Sequence, residues 1–152
     1  MLQAPLFCLR PRITDPFNLQ RFVDAQRGAY EGALAELHAG AKRGHWMWFV
    51  FPQARGLGRS AMAELYGITG LEEARAYLAH PVLGPRLRES VAAVLGHAGQ
   101  RTAEQMLGPV DATKLRSCLT LFEAAGGGEP FPQALSLLFA GERDPATLVL
   151  VA

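Results

Sequence analysis

The sequence has only two cysteines, Cys8 and Cys118, far apart and outside any Cys-x-x-Cys or Cys/His ligand spacing, which excludes a disulfide framework and a zinc ribbon. It has no excess charge of one sign: 15 basic against 14 acidic residues leave a formal net charge of +1. That is too little for a protein that works by neutralising nucleic-acid phosphates. The longest strictly apolar run, Trp46 to Phe51, is six residues, against the ~20 needed to span a bilayer. Residues 1–14 lack a leading positive region, and Pro5 interrupts their few apolar residues. No signal peptide is expected, and the reading is of a cytoplasmic protein. Lysine is scarce as well: Lys42 and Lys114 stand beside 13 arginines, positions where arginine was not used.

No hydrophobic period of two is sustained, no Asn-Gly or Asp-Gly pair marks a hairpin, and no repeat of ~20–50 residues is visible. What is present is 152 residues that are 49% hydrophobic. Such a chain buries roughly 70% of its unfolded surface and builds one core without staples. Asp15-Pro16 reads as N-cap and first helical residue. Phe22, Ala25, Ala29, Ala33 and Leu37 then form one helical stripe. Ser60 caps a short helix over 61–66, and Thr69 with Glu72 forms a capping box for a helix through Ala79. Helices follow over 86–95, one turn capped by Thr102 and Gln105, 112–125 capped by Asp111, 131–140, and 145–151 capped by Asp144. The expected fold is all-α, a compact single-domain array of about seven short helices over residues 15–152, preceded by an extension over 1–14. The Trp46–Phe51 run itself reads equally as a short buried strand or an irregular core-crossing segment.

Several motifs bear on chemistry. Gly56-Leu-Gly-Arg-Ser60-Ala fits the glycine spacing of a dinucleotide fingerprint, but Pro52 to Arg55 separate it from any strand and the helix that follows is too short. The smaller reading is an anion-binding turn with Arg55, Arg59 and Ser60; its competitor is a plain glycine-rich surface turn. His45-Trp46-x-Trp48 puts a titratable ring beside two indoles, either a stacking platform for a flat ligand with Lys42 and Arg43 supplying charge, or an anchor of the core. Lys114 and Ser117 share one helical face with Asp111, which is either a functional polar face or a solvated one. His80 reads as a cap-type acceptor, and Glu72, Glu73 and Glu89 as solvated helix charges. No histidine pair has metal spacing, so neither a metal nor a cofactor is expected.

His45-Trp-Met-Trp-Phe-Val-Phe-Pro-Gln53, with Asp15-Pro-Phe, Tyr77-Leu-x-His80-Pro-x-Leu-Gly84-x-Arg86, Asp111-x-x-Lys114-x-x-Ser117 and Leu119-Thr-Leu-Phe122, resembles the small bacterial family of unknown function numbered 1810. The resemblance runs from about Asp15 to Val151 and implies an all-helical fold. Its members often carry the label calpastatin, which does not suit this chain: that inhibitor is a long disordered polypeptide, whereas this composition is compact and apolar. Cys118 stands where the pattern has a second serine, which argues against serine-pair chemistry there. The matching positions are mostly polar or aromatic, which suggests a preformed pocket.

The function expected from these readings is a hydrolase acting on a nucleotide or ADP-ribose-like ligand, with His45 and Lys114 as catalytic residues. Lys42, Trp46, Trp48, Gln53, Arg55, Gly56, Gly58, Ser60, His80, Arg86 and Ser117 would bind the ligand. The alternative is a non-catalytic module that binds a ligand or a protein. The expected partner is an anionic small molecule, with no role for nucleic acid or membrane.

Overall fold

A computed structural model of the protein describes residues 14–152. The expected extension therefore lies, apart from Thr14, outside the described residues, as does Cys8. Asp15 opens the fold by accepting the Leu19 and Gln20 amides at 2.7 and 2.8 Å. Residues 15–18 form a turn first, so α1 runs Gln20–Gln26 with Leu19 as its N-cap, and Asp15 and Pro16 do not take the expected cap and first helical positions. Gly28, at φ +78°, then breaks the chain before α2, Tyr30–Ala39. The stripe expected as one helix is thus shared by two, whose Phe22, Ala33 and Leu37 all face the core.

The Trp46–Phe51 run forms a single buried helical turn, α3 at Met47–Val50. Next come α4 at Ala61–Leu65 and α5 at Leu71–Ala79, then α6 at Leu83–Leu95 and α7 at Ala103–Leu107. The chain continues through α8 at Pro109–Ala124, α9 at Phe131–Phe139 and α10 at Pro145–Leu150. The described residues hold ten helices, not about seven, because the first is split, the tryptophan segment adds a turn and the turn capped by Thr102 counts as α7. They contain no strand; one parallel bridge, Ala54 to Ile68, ties the 53–55 segment to the chain beyond α4.

The caps explain the boundaries. Ser60 Oγ accepts the Ala63 amide at 3.1 Å, and Thr102 with Gln105 forms the expected reciprocal box. The box expected from Thr69 and Glu72 does not form: Gly70 is the N-cap of α5, and the Thr69 amide and hydroxyl both donate to Glu73, its third helical residue. Asp111 does not cap α8: Gly108 ends α7, Pro109 takes the first helical position, and Asp111 falls in the first turn, where its charge suits the helix dipole.

α8 is the axis of the molecule. Leu115, Cys118, Leu119, Leu121 and Phe122 on it are fully buried, and α5, α7, α9 and α10 all pack against it. An aromatic ladder crosses the core from α1 to α9: Phe22 meets Tyr77 edge-on at 5.1 Å, Tyr77 meets Phe122 at 5.4 Å, and Phe122 stacks on Phe131 at 5.8 Å. Such pairs add about 0.5–1.5 kcal/mol each beyond their buried area. Gln26, buried on α1, donates to Phe49 O at 2.8 Å and to Tyr77 Oη at 3.3 Å, and accepts from Arg86 at 3.3 Å. One amide thereby holds α1, α3, α5 and α6 together. Burial pushes the Cys118 thiol up, which keeps it protonated and inert.

Candidate functional site

A cleft of about 490 Å³ opens beside the amino-terminal half of α8. One wall is Trp48 from α3 together with Gln53, Leu57, Gly58, Arg59 and Ser60 from the segment leading into α4. The opposite wall is Val110, Thr113, Lys114 and Ser117 from α8, closed by Asp144 and Ala146 at the start of α10. Helical spacing explains the second wall: residues 110, 113, 114 and 117 lie three or four apart and so share one face. The bridge at Ala54 fixes the first wall, through Arg55 N–H to Ile68 O at 2.8 Å and Ile68 N–H to Gln53 O at 2.9 Å.

The charge is unevenly distributed. Asp111 receives Lys42 Nζ at 2.8 Å and Lys114 Nζ at 3.5 Å. Lys42 is held closely: its side chain is 9% exposed, it donates to Gly44 O at 2.6 Å, and it lies 5.1 Å over the Trp46 ring. Lys114 is the looser partner, 25% exposed and 5.0 Å over the Trp48 ring. One carboxylate is shared by two ammonium groups; Lys42 also faces the charge of Glu36, and Lys114, the more loosely held of the two, lines the cleft.

Asp144 is the counterweight at the other end. Its Oδ2 accepts the Ser117 hydroxyl at 2.9 Å, the Thr147 hydroxyl at 2.5 Å and the Thr147 amide at 3.2 Å. Burial alone would raise its carboxyl, but the Thr147 and Ser117 hydrogen bonds and the Arg116 charge hold it below the usual carboxylate range. Glu36 is lowered in the same way, its burial outweighed by the Arg43 and Gly44 amides, the Trp46 indole N–H and the charge of Lys42. Carboxyls depressed in the folded state contribute stability that is complete above their unfolded values, about pH 4, and is lost as pH falls through the folded ones. The melting temperature should therefore hold from neutral pH to about 5 and drop below about 4. Asp144→Asn should be less stable at neutral pH and lose part of that acid limb in a melting series.

Of the residues expected at the site, the structure brings Trp48, Gln53, Gly58, Ser60, Lys114 and Ser117 into the cleft, while the others serve elsewhere. His45 is exposed and does not line it, so His45 and Lys114 do not share one cavity. Trp46 is 4% exposed and donates its indole N–H to Glu36 at 2.9 Å. Lys42 stands behind Lys114 as the second cation on Asp111. Arg55 leans on Gly67 O, and Gly56 adopts φ +108° while a Cβ at Gly58 would stand 2.8 Å from Ala63, so both glycines are required by the turn itself. His80 Nδ1 accepts the Val82 and Leu83 amides as a cap. Arg86 stacks over Tyr30 at 4.7 Å and donates to Gln26, in the core network rather than the cleft. Asp144 was legible only as a cap and Glu36 not at all. Glu73 and Glu89, expected to be solvated, are engaged: Glu73 is 1% exposed, and Glu89 accepts the Tyr30 hydroxyl, which burial and that bond push up to about 12.

Short helices wrapped on one long buried helix, with a single sequence-distant polar wall meeting its first two turns, define a single-domain, all-helical protein. The chain belongs to the family described as "Protein of unknown function (DUF1810)", whose model matches residues 16–151. It is similar to the crystal structure of the conserved hypothetical protein Rv1873 from Mycobacterium tuberculosis, with 49% sequence identity and a TM-score of 0.87, over 90% of this chain and 98% of that one. Comparison with curated proteins finds no match. No helix among the described residues is long and apolar enough to cross a membrane.

Proposed function

We propose that the cleft binds a small ligand joining a flat ring system to anionic groups, a nucleotide or an ADP-ribose-like molecule. The observation that carries this reading is the Lys114 ammonium, which lines the cleft beside the Trp48 ring and is only loosely paired, at 3.5 Å, with a carboxylate that Lys42 already holds at 2.8 Å, since a loosely paired charge favours a ligand of opposite sign. Arg59 on the facing wall supplies a second cation. Trp48 offers a ring face, and the Gln53 side chain, which has no hydrogen-bond partner among the described residues, offers an amide that can read a base edge. The volume falls within the ~300–1,000 Å³ of small-molecule sites.

Hydrolysis of the ligand is the further part of this reading, and there Lys114, not His45, is the group placed to handle a proton. A specific observation favours the alternative of binding without turnover: the three hydrogen bonds on Asp144 and the Arg116 charge hold its carboxyl below the usual range, which makes it a weak base for the Ser117 hydroxyl that donates to it.

A thermal-shift series with nucleotides, ADP-ribose and sugar phosphates tests the site. A ligand at ~100 times its dissociation constant adds about 2.7 kcal/mol, which for a domain of this size raises the melting temperature by about 5–10 °C. The shift should vanish in Lys114→Ala and persist in His45→Ala. A shift unchanged in Lys114→Ala, or none with any compound, would overturn the reading, and chromatography of the incubated ligand separates turnover from binding alone.

A further inference from the structure

We infer that Lys114 captures its ligand covalently and reversibly, as an imine with the open-chain aldehyde of a phosphorylated sugar that has a free reducing end, ADP-ribose being the representative. This rests on the ligand reading above and adds the substrate class and the bond. The argument begins with which cation the chain uses. Arginines outnumber lysines 13 to two, and every other side-chain ion pair among the described residues is made by arginine. Yet both lysines meet at Asp111.

For Lys42 packing gives the reason. Its ammonium sits between Gly44 O at 2.6 Å and Asp111 at 2.8 Å, a space that suits a compact, three-donor group and not a planar fork. No such restriction acts on Lys114, which is partly exposed, 3.5 Å from its carboxylate and open to the cleft. If its task were only to hold phosphate, arginine would do so better, with two parallel hydrogen bonds. What lysine has and arginine lacks is an amine that can lose its proton and form a carbon–nitrogen bond.

The surroundings fit that step. Asp111 Oδ1 is the acceptor beside Nζ, and Lys42 keeps Asp111 paired while Lys114 reacts. The ammonium passes one proton to Asp111, and the free amine adds to the aldehyde carbon. The carbonyl oxygen takes one proton from the nitrogen as the carbon–nitrogen bond forms and the second back from Asp111, and departs as water. The sum is one ammonium and one aldehyde giving one protonated imine and one water, with the charge conserved. That imine carries its single positive charge where the ammonium carried it, between Asp111 and the Trp48 ring, so the same contacts stabilise both. Phosphates of the same ligand would meet Arg59, and its base Trp48 and Gln53.

The lysine-poor sequence makes the test clean. The protein is incubated with ADP-ribose or with ADP, which has no aldehyde, then treated with cyanoborohydride and analysed by intact mass and peptide mapping. The expected result is one ADP-ribose adduct on Lys114, none on Lys42, none with ADP, and none in Lys114→Arg, which keeps the charge but cannot form the imine. An adduct confined to the α-amino group, an adduct on Lys114 with ADP, or no adduct overturns the inference. Thermal shifts measured in parallel separate the two ideas: if ADP and ADP-ribose both stabilise the protein and no adduct forms, the covalent step fails and the binding site stands. If neither stabilises it and no adduct forms, both fail.

Discussion

Glu73→Ala should destabilise the protein by about 3–5 kcal/mol, the cost of removing one partner from a buried ion pair. Glu73 is 1% exposed and its Oε2 lies 2.9 Å from Arg21, while its Oε1 accepts both the amide and the hydroxyl of Thr69, at 2.9 and 2.8 Å. Arg21 is anchored on every side. It donates to Phe17 O, Asn18 O, Leu65 O and Gly67 O, joining the entry to α1 with the exit of α4. The alanine variant leaves that guanidinium facing only carbonyls and takes the acceptor from the Thr69 amide and hydroxyl just before α5. At ~2–4 °C per kcal/mol for a domain of this size, the melting temperature should fall by about 6–20 °C. Glu73→Gln keeps an oxygen for Thr69 but not the charge, and should fall between alanine and wild type. A loss below about 1 kcal/mol in the alanine variant, the range of an exposed pair, would show that the carbonyl contacts of Arg21 hold this joint alone.

The same residue shows what was legible in the sequence. Local devices were in part: Ser60, Thr102 with Gln105, and Asp144 cap the helices they were expected to cap, since a cap is decided within four residues of chain, whereas Asp111 and Thr69 do not fall on the helix starts set by Pro109 and Gly70. Breaks within a continuing period were not. Phe22 to Leu37 keep helical spacing across Gly28 because both halves face one core, and periodicity alone carries no record of the turn between them. Glu73 looked solvated because its partner lies 52 residues away, a contact no local pattern encodes.

The site divides along the same line. Residues 114 and 117 were legible as one face, since helical geometry fixes them. That Trp48 and Gln53 oppose that face, while His45, three residues before Trp48, points elsewhere, depends on a single helical turn at 47–50 and on the Ala54–Ile68 bridge. A six-residue apolar run does not distinguish such a turn from a strand, and a strand would have placed residues 46 and 48 on one side together. Asp144 entered the cleft through the packing of α10 on α8, which brings chain positions 117 and 144 within one hydrogen bond.

That difference between strand and helical turn gives the two tryptophans opposite expected phenotypes. Trp46→Ala should cost about 3–5 kcal/mol, the range for emptying a buried large aromatic site. It removes a ring 4% exposed that packs 6.2 Å from Phe51, underlies Lys42 and donates to Glu36. Trp48→Ala should cost clearly less, because that residue is half-buried and lines the cleft. It should instead abolish the ligand-dependent rise in melting temperature, since it takes away the stacking surface and the partner of the Lys114 ammonium. Melting curves of both variants with and without ADP-ribose read the two effects in one experiment. Had the segment been a strand presenting both indoles to a ligand, the two variants would lose binding together and stability about equally. Equal losses would therefore refute the assignment of Trp46 to the core and Trp48 to the site, whereas a large unliganded loss for one and a binding loss for the other follows only from the helical turn.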